Sequence, residues 1–302
     1  MISAIEDAFE VELDGTITAY PSYVNRVYEV RETDDRSFIV KFYRPNRWSE
    51  EAIAEEHAFV KDCRAFDIPV VAPVATEDGH TLCGVIAEDE EGQTEQEFLF
   101  ALYPKRGGRN FDAETDDDWF RLGSVAGRIH AAAASGSATH RLECTPSGSS
   151  FRFLDELRND GVVHPKFAEE FFDTTKRALE WIAPLFDGVA LGRIHGDFHR
   201  GNILDRPGEG LLVVDFDDMM VGPAVQDLWL LLPGRISESR RELAMVLDGY
   251  DQFWSFDRET LRLVEPLRLM RMLYYIAWSS RQRNDHRFRE SFPEWGGKAF
   301  WA

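Results

Sequence analysis

Arg193-Ile194-His195-Gly196-Asp197-Phe198-His199-Arg200-Gly201-Asn202-Ile203-Leu204 is the segment from which the rest of this 302-residue chain can be understood. Asp197 and Asn202 lie five apart in a stretch broken by Gly196 and Gly201, which makes it a loop. Thirteen residues beyond Asn202 comes Asp215, at the end of the apolar strand Leu211-Leu212-Val213-Val214. Phosphoryl transfer needs a carboxylate beside the attacking hydroxyl, and oxygen ligands that hold a divalent cation on the phosphates. Asp197 fits the first part. Asn202 and Asp215 fit the second, with Asp215 rising from the neighbouring strand to bridge metal and phosphates. Hard Mg²⁺ prefers such oxygen donors and keeps waters of its own.

His195, Asp197 and His199 alternate, and alternating ligands on a strand project to one side, so a metal cluster is the competing reading. The glycine between them and the Arg-Gly-Asn that follows favour a loop, with His195 as a prop and His199 without a catalytic part.

Working outward, Val27–Val30 and Phe38–Tyr43 are β-rich runs around the turn residues Thr33-Asp34-Asp35, which predicts a hairpin ended by Pro45. Ser49 can cap a helix reaching about Ala65, with Glu50 and Glu51 in its first turn. Ile53, Glu56, Val60 and Cys63 share one face of it, so a carboxylate on that apolar stripe demands a partner. Strand-like segments follow Pro69–Val74, the clearest being Glu97–Tyr103. Pro104-Lys105-Arg106-Gly107-Gly108-Arg109 looks like a linker, which divides the chain into residues 1–103 and 104–302. The second part is mainly helical, over Trp119–Ala134, Phe167–Phe186 and Val225–Leu232, and onward to Trp278.

His-x-Asp-x-x-x-x-Asn followed by Asp-Phe-x resembles the catalytic and metal-binding loops of the protein-kinase-like superfamily. Gly196, and Asp217 where protein kinases have glycine, resemble its aminoglycoside phosphotransferase and choline kinase branch, and within it a family of bacterial stress-response serine/threonine kinases. The likeness extends over Asn25–Tyr28, Val40–Pro45, Glu55-Glu56-His57, Gly222-Pro223-Ala224, Gln226–Trp229 and Tyr274–Trp278. It implies a two-lobed α+β fold, with a β-rich N-terminal nucleotide lobe, a larger helical C-terminal lobe, and ATP with Mg²⁺ between them. It implies that Lys41 holds the α- and β-phosphates and pairs with a helix carboxylate. Glu55 and Glu56 are both available, and the stripe favours Glu56. No Gly-x-Gly-x-x-Gly precedes the hairpin; Tyr20–Arg26 stands there instead, with the Ser22 hydroxyl and backbone amides left to meet the phosphates. Asp227 is expected to accept hydrogen bonds from the catalytic-loop backbone, and Tyr274, Tyr275 and Trp278 to pack a helix or border the substrate cleft.

A net charge of −20 argues against nucleic-acid binding. The acidic residues are spread through Glu88–Glu91 and Asp116–Asp118, a solvated pattern. No apolar run has membrane-spanning length and the N-terminus lacks a signal-peptide pattern, so a cytoplasmic monomer is expected. Cys63, Cys83 and Cys144 read as reduced, buried thiols. The functional expectation is an ATP- and Mg²⁺-dependent serine/threonine protein kinase. The alternatives are a kinase of small alcohols (aminoglycoside, choline or homoserine-like) and a regulatory pseudokinase, the latter disfavoured because Lys41, Asp197, Asn202 and Asp215 occur together. Asp215 to Asp227 holds no serine, threonine or tyrosine, which predicts a site assembled without loop phosphorylation.

Overall fold

The computed structural model describes residues 1–22, 24–88 and 95–302. Tyr23 of the phosphate-facing loop and Asp89–Glu91 of the acidic run lie outside the described residues.

The chain opens with α1 (Ile2–Phe9), then β1 (Leu13–Ala19), β2 (Arg26–Glu32), β3 (Ser37–Phe42), α2 (Glu50–Ala65), β4 (Cys83–Glu88) and β5 (Glu95–Pro104). These strands form an antiparallel sheet in the order β1-β2-β3-β5-β4, so the expected hairpin is β2–β3. Side chains alternate across β3. Phe38, Val40 and Phe42 enter a core with Ile5, Phe9, Phe100 and Leu102, while Lys41 turns to the other face. The sequence reading did not foresee α1, which closes that core with Ile5 and Phe9. In α2, Ser49 Oγ accepts from the Ala52 N–H at 3.2 Å, and Ile53, Glu56, Val60 and Cys63 are all buried, as their spacing implied. Pro69–Val74 yields only an isolated bridge, Val70 with Val213. Of the three thiols, Cys63 alone is fully buried.

After Pro104 the chain crosses to the helical part. Here lie β6 (Arg109–Asn110), α3 (Asp116–Ala133), a π-turn at Pro146–Ser150, α4 (Phe151–Asn159) and α5 (Pro165–Ile182). Next come β7 (Gly192–Ile194), β8 (Ile203–Arg206), β9 (Gly210–Val213) and β10 (Met220–Gly222). The chain ends in α6 (Val225–Leu231), α7 (Arg240–Tyr250), α8 (Val264–Gln282) and α9 (His286–Ser291). The fold is thus α+β, sheet-rich at its N-terminal end and helical in its larger remainder. Thr115 and Asp118 make a reciprocal capping box, so the acidic run Asp116–Asp118 starts α3 as expected. Among the described residues, no helix is long and apolar enough to cross a membrane.

The small strands position the chemistry. β7 pairs with β10 and β8 with β9, all antiparallel. The β7–β8 loop carries Asp197 and Asn202, and the β9–β10 loop carries Asp215. Pairing at both ends brings the two loops together, and Val214 N donates to Asn202 O at 3.0 Å.

Candidate active site

Gly196 shows why the Asp197 loop has its sequence. Its φ is +82°, and a Cβ there would lie 2.1 Å from the Asp218 carbonyl oxygen, so any side chain would force the two loops apart. Asp227 accepts from the His195 and Gly196 N–H groups at 2.8 and 2.9 Å, as expected, and His130 Nε2 lies 3.0 Å from it. His195 is fully buried. Its Nε2 lies 3.0 Å from Val214 O and its Nδ1 accepts from Asp197 N at 3.3 Å. Both nitrogens are therefore engaged in propping the loop, and the His-Asp-His metal cluster does not form. Among the described residues there is no group of three or more His, Cys, Asp or Glu that could hold a metal.

Asp197 faces the cleft with two partners the sequence reading had not assigned. Arg271 Nη2, from α8, donates to its Oδ1 at 2.5 Å, and His199 Nε2 lies 3.4 Å from its Oδ2. Burial works against the Asp197 charge, but His199 and Arg271 outweigh it and hold the carboxyl well below its usual pKa. The same contact raises the His199 pKa. His199, expected to be a bystander, is thus in the electrostatic environment of Asp197. Asn202 Nδ2 donates to Asp197 O at 3.0 Å, which leaves its Oδ1 for another partner.

Asp215 sits in left-handed backbone (φ +63°) with its side chain 57% exposed, whereas those of Asp217 and Asp218 are 7% and 25% exposed. Asp217 bonds Arg47 and accepts from Asn25 Nδ2 at 3.0 Å; Asp218 meets Arg47 at 2.8 Å and the Tyr274 hydroxyl at 2.7 Å. Tyr274 therefore does more than pack a helix. Loss of hydration beside the neighbouring protein groups raises the Asp215 pKa; Lys41 opposes this, and Asp217 and Asp218 add to it.

Lys41 Nζ lies 2.8 Å from Asp217, 3.8 Å from Glu56 and 3.9 Å from Asp215. The expected helix carboxylate is Glu56 by position, but its tighter partner is Arg141 at 2.7 Å. Arg141 also donates to Ala52 O and Asp217 O, at 2.7 and 2.8 Å. Glu55 instead accepts the backbone N–H groups of Thr139, His140 and Arg141. Three acids around one lysine outweigh its burial and raise the Lys41 pKa, so the amine stays charged. Ser22 lies in the β1–β2 loop beside Asn25, whose Oδ1 accepts from Arg44 N at 3.1 Å. Arg47, Arg141 and Arg271 escaped the sequence reading because each acts on a residue far away in the chain, while Asn25 stood out only as part of the resemblance.

Residues 16–264 match the profile of the phosphotransferase enzyme family. The chain belongs to that family. It is 38% identical over 298 residues to Stress response kinase A of Escherichia coli (strain K12), covering 96% of this chain and 85% of that one. It is 35% identical over 292 residues to the serine/threonine protein kinase RdoA of Salmonella typhimurium (strain LT2), with the same coverages. In fold, this phosphotransferase is similar to the amicoumacin kinase hAmiN in complex with AMP-PNP, Ca²⁺ and Ami. That likeness has a TM-score of 0.71 at 18% identity, over 95% of this chain and 86% of that one. This phosphotransferase is a kinase of kinase-like fold that transfers phosphate to a hydroxyl acceptor.

Proposed function

We propose that this chain is an ATP- and Mg²⁺-dependent serine/threonine protein kinase of a bacterial stress response, acting in the cytoplasm. The observation that carries this reading is the likeness, along 96% of the chain, to proteins named for that activity. Asp197 orients and deprotonates the acceptor hydroxyl, and Arg271 fixes its carboxylate. The residues present fit a magnesium ion: Asn202 keeps an amide oxygen for it, and Asp215 is the exposed carboxylate of its trio while arginine holds the other two. Bound there, Mg²⁺ would neutralise charge on the transferring phosphates. Lys41 steadies the α- and β-phosphates, Glu56 restrains Lys41, and Ser22 with its loop backbone roofs the phosphates. The nucleotide lobe is taken as residues 1–103, one residue before β5 ends at Pro104.

A second reading, a small-molecule kinase, is favoured by the fold shared with the amicoumacin kinase. The two separate in an assay with γ-labelled ATP, a generic protein acceptor and a panel of aminoglycosides, choline and homoserine. Label on serine or threonine of protein supports the first reading; label confined to a small alcohol overturns it.

A further inference from the structure

The chain carries 54 acidic side chains against 34 lysines and arginines. One crevice of about 760 Å³ reverses that balance. It lies between the β1–β2 loop, the segment after β3, and the α8–α9 end of the chain. Arg26, Arg44, Arg47, Arg281, Arg287 and His286 line it, and Asp285 is the one carboxylate among its described lining residues. That carboxylate is already matched, since Arg44 Nη2 lies 2.9 Å from it. Arg47 and Arg281 are held by Asp217 and Glu156. Arg26 and Arg287 are exposed and have no ionic partner among the described residues.

The crevice communicates with the chemistry along α8. Arg271 reaches Asp197, Tyr274 reaches Asp218, and Trp278 and Arg281 line the crevice. Their spacings of three and four put them on one helical face. A helix rises about 15 Å from Arg271 to Arg281, a distance that extended chain covers in about four or five residues.

Resting on the protein-kinase reading above, we propose that this crevice is a docking subsite for an acidic segment of the protein substrate. Carboxylates about four or five residues from the phosphorylated hydroxyl, by the helix and strand rises above, reach the level of Arg281, where the crevice that holds Arg26 and Arg287 opens. The acidic surface elsewhere repels such a segment, so the local positive field both selects and steers it. Phe98 and Trp278 give the subsite apolar walls, beside which charge pairs are less screened than in open water.

The test uses a labelled serine peptide with glutamates four and five residues to either side, and its glutamine twin. Binding is followed by fluorescence anisotropy for wild type, Arg287→Ser and Arg287→Lys, with ATP affinity and phosphotransfer measured alongside. Wild type should bind the glutamate peptide roughly tenfold more tightly than its twin, a preference erased by moderate salt. The Arg287→Ser variant should lose most of the preference, the Arg287→Lys variant keep most of it, and kcat and ATP affinity stay unchanged in both. Equal affinity for the two peptides in wild type, with serine still phosphorylated, overturns the subsite alone. Weakening of ATP binding in the Arg287→Ser variant also overturns it, by assigning Arg287 to the nucleotide. Phosphate transfer only to a small alcohol defeats the protein-kinase reading, and the subsite with it.

Discussion

Asp215 and Asp217 are two residues apart and meet opposite surroundings. Burial disfavours charge on Asp217, but Lys41 and Arg47 outweigh it and depress its pKa, whereas Asp215 is raised. The sequence shows both carboxylates but not which one is sequestered, because Arg47 and Asn25 lie 170 and 192 residues away from Asp217. His57 is a similar case. It is 4% exposed, with Nε2 2.9 Å from the Tyr43 hydroxyl and Nδ1 2.8 Å from Thr81 Oγ1. Burial, then Lys41 and Arg141, lower its pKa from 6.5 to about 3. Between those values the unfolded chain takes up a proton that the folded chain refuses, so stability falls as pH drops through this window. This one group should cost about 2 kcal/mol between pH 7 and pH 5. Urea denaturation at both pH values should show His57→Gln losing about that much less than wild type; equal losses would refute the assignment.

Elements with dense local signals were legible. The Ser49 cap, the stripe of α2, the β2–β3 hairpin and the acidic start of α3 all form where their residues imply. The eight-residue α1 was not, because so short a helix is marginal alone and exists through the core it closes. The contact of α3 with α7 was equally hidden. A Cβ on Gly123 would lie 1.9 Å from Val246 O, and one on Gly249 2.0 Å from Phe120 O. Gly123→Ala should therefore destabilise the fold by about 2 kcal/mol or more, despite the better helix propensity of alanine. Chemical denaturation measures this, and an unchanged midpoint would contradict the close packing. The link from α2 to β3 has its own test. Lys41→Met and Glu56→Gln should be strongly non-additive in phosphotransfer, while Lys41→Met and Glu55→Gln should add, because Glu55 is engaged by the Thr139–Arg141 backbone and the Thr139 hydroxyl rather than by Lys41. Coupling to Glu55 instead would reverse the pairing.

At the scale of the molecule, one motif carried the fold and the positions of Asp197, Asn202 and Asp215, and the wider resemblance added Lys41. The arginines that hold those acids stayed hidden, since each reaches the cleft from a different element. Arg47 follows β3, Arg141 follows α3, and Arg271 lies within α8. The segment after Asp215 is also built in. It passes through a short 3₁₀ turn and β10 into α6, with its acids already matched by Arg47 and Tyr274. Phosphatase treatment of the purified enzyme should therefore leave initial rates unchanged. A large loss restored by preincubation with ATP would show a phosphorylation switch.

The most direct test of the cleft as a phosphotransfer centre is γ-label transfer measured beside ATP affinity, with Mg²⁺, for wild type, Asp197→Asn and Asp215→Ala. Asp197→Asn should lose transfer by about a thousandfold or more with ATP affinity within about twofold, whereas Asp215→Ala should lose both. Transfer surviving in Asp197→Asn, or the two variants binding Mg·ATP as well as wild type, would contradict the assignment.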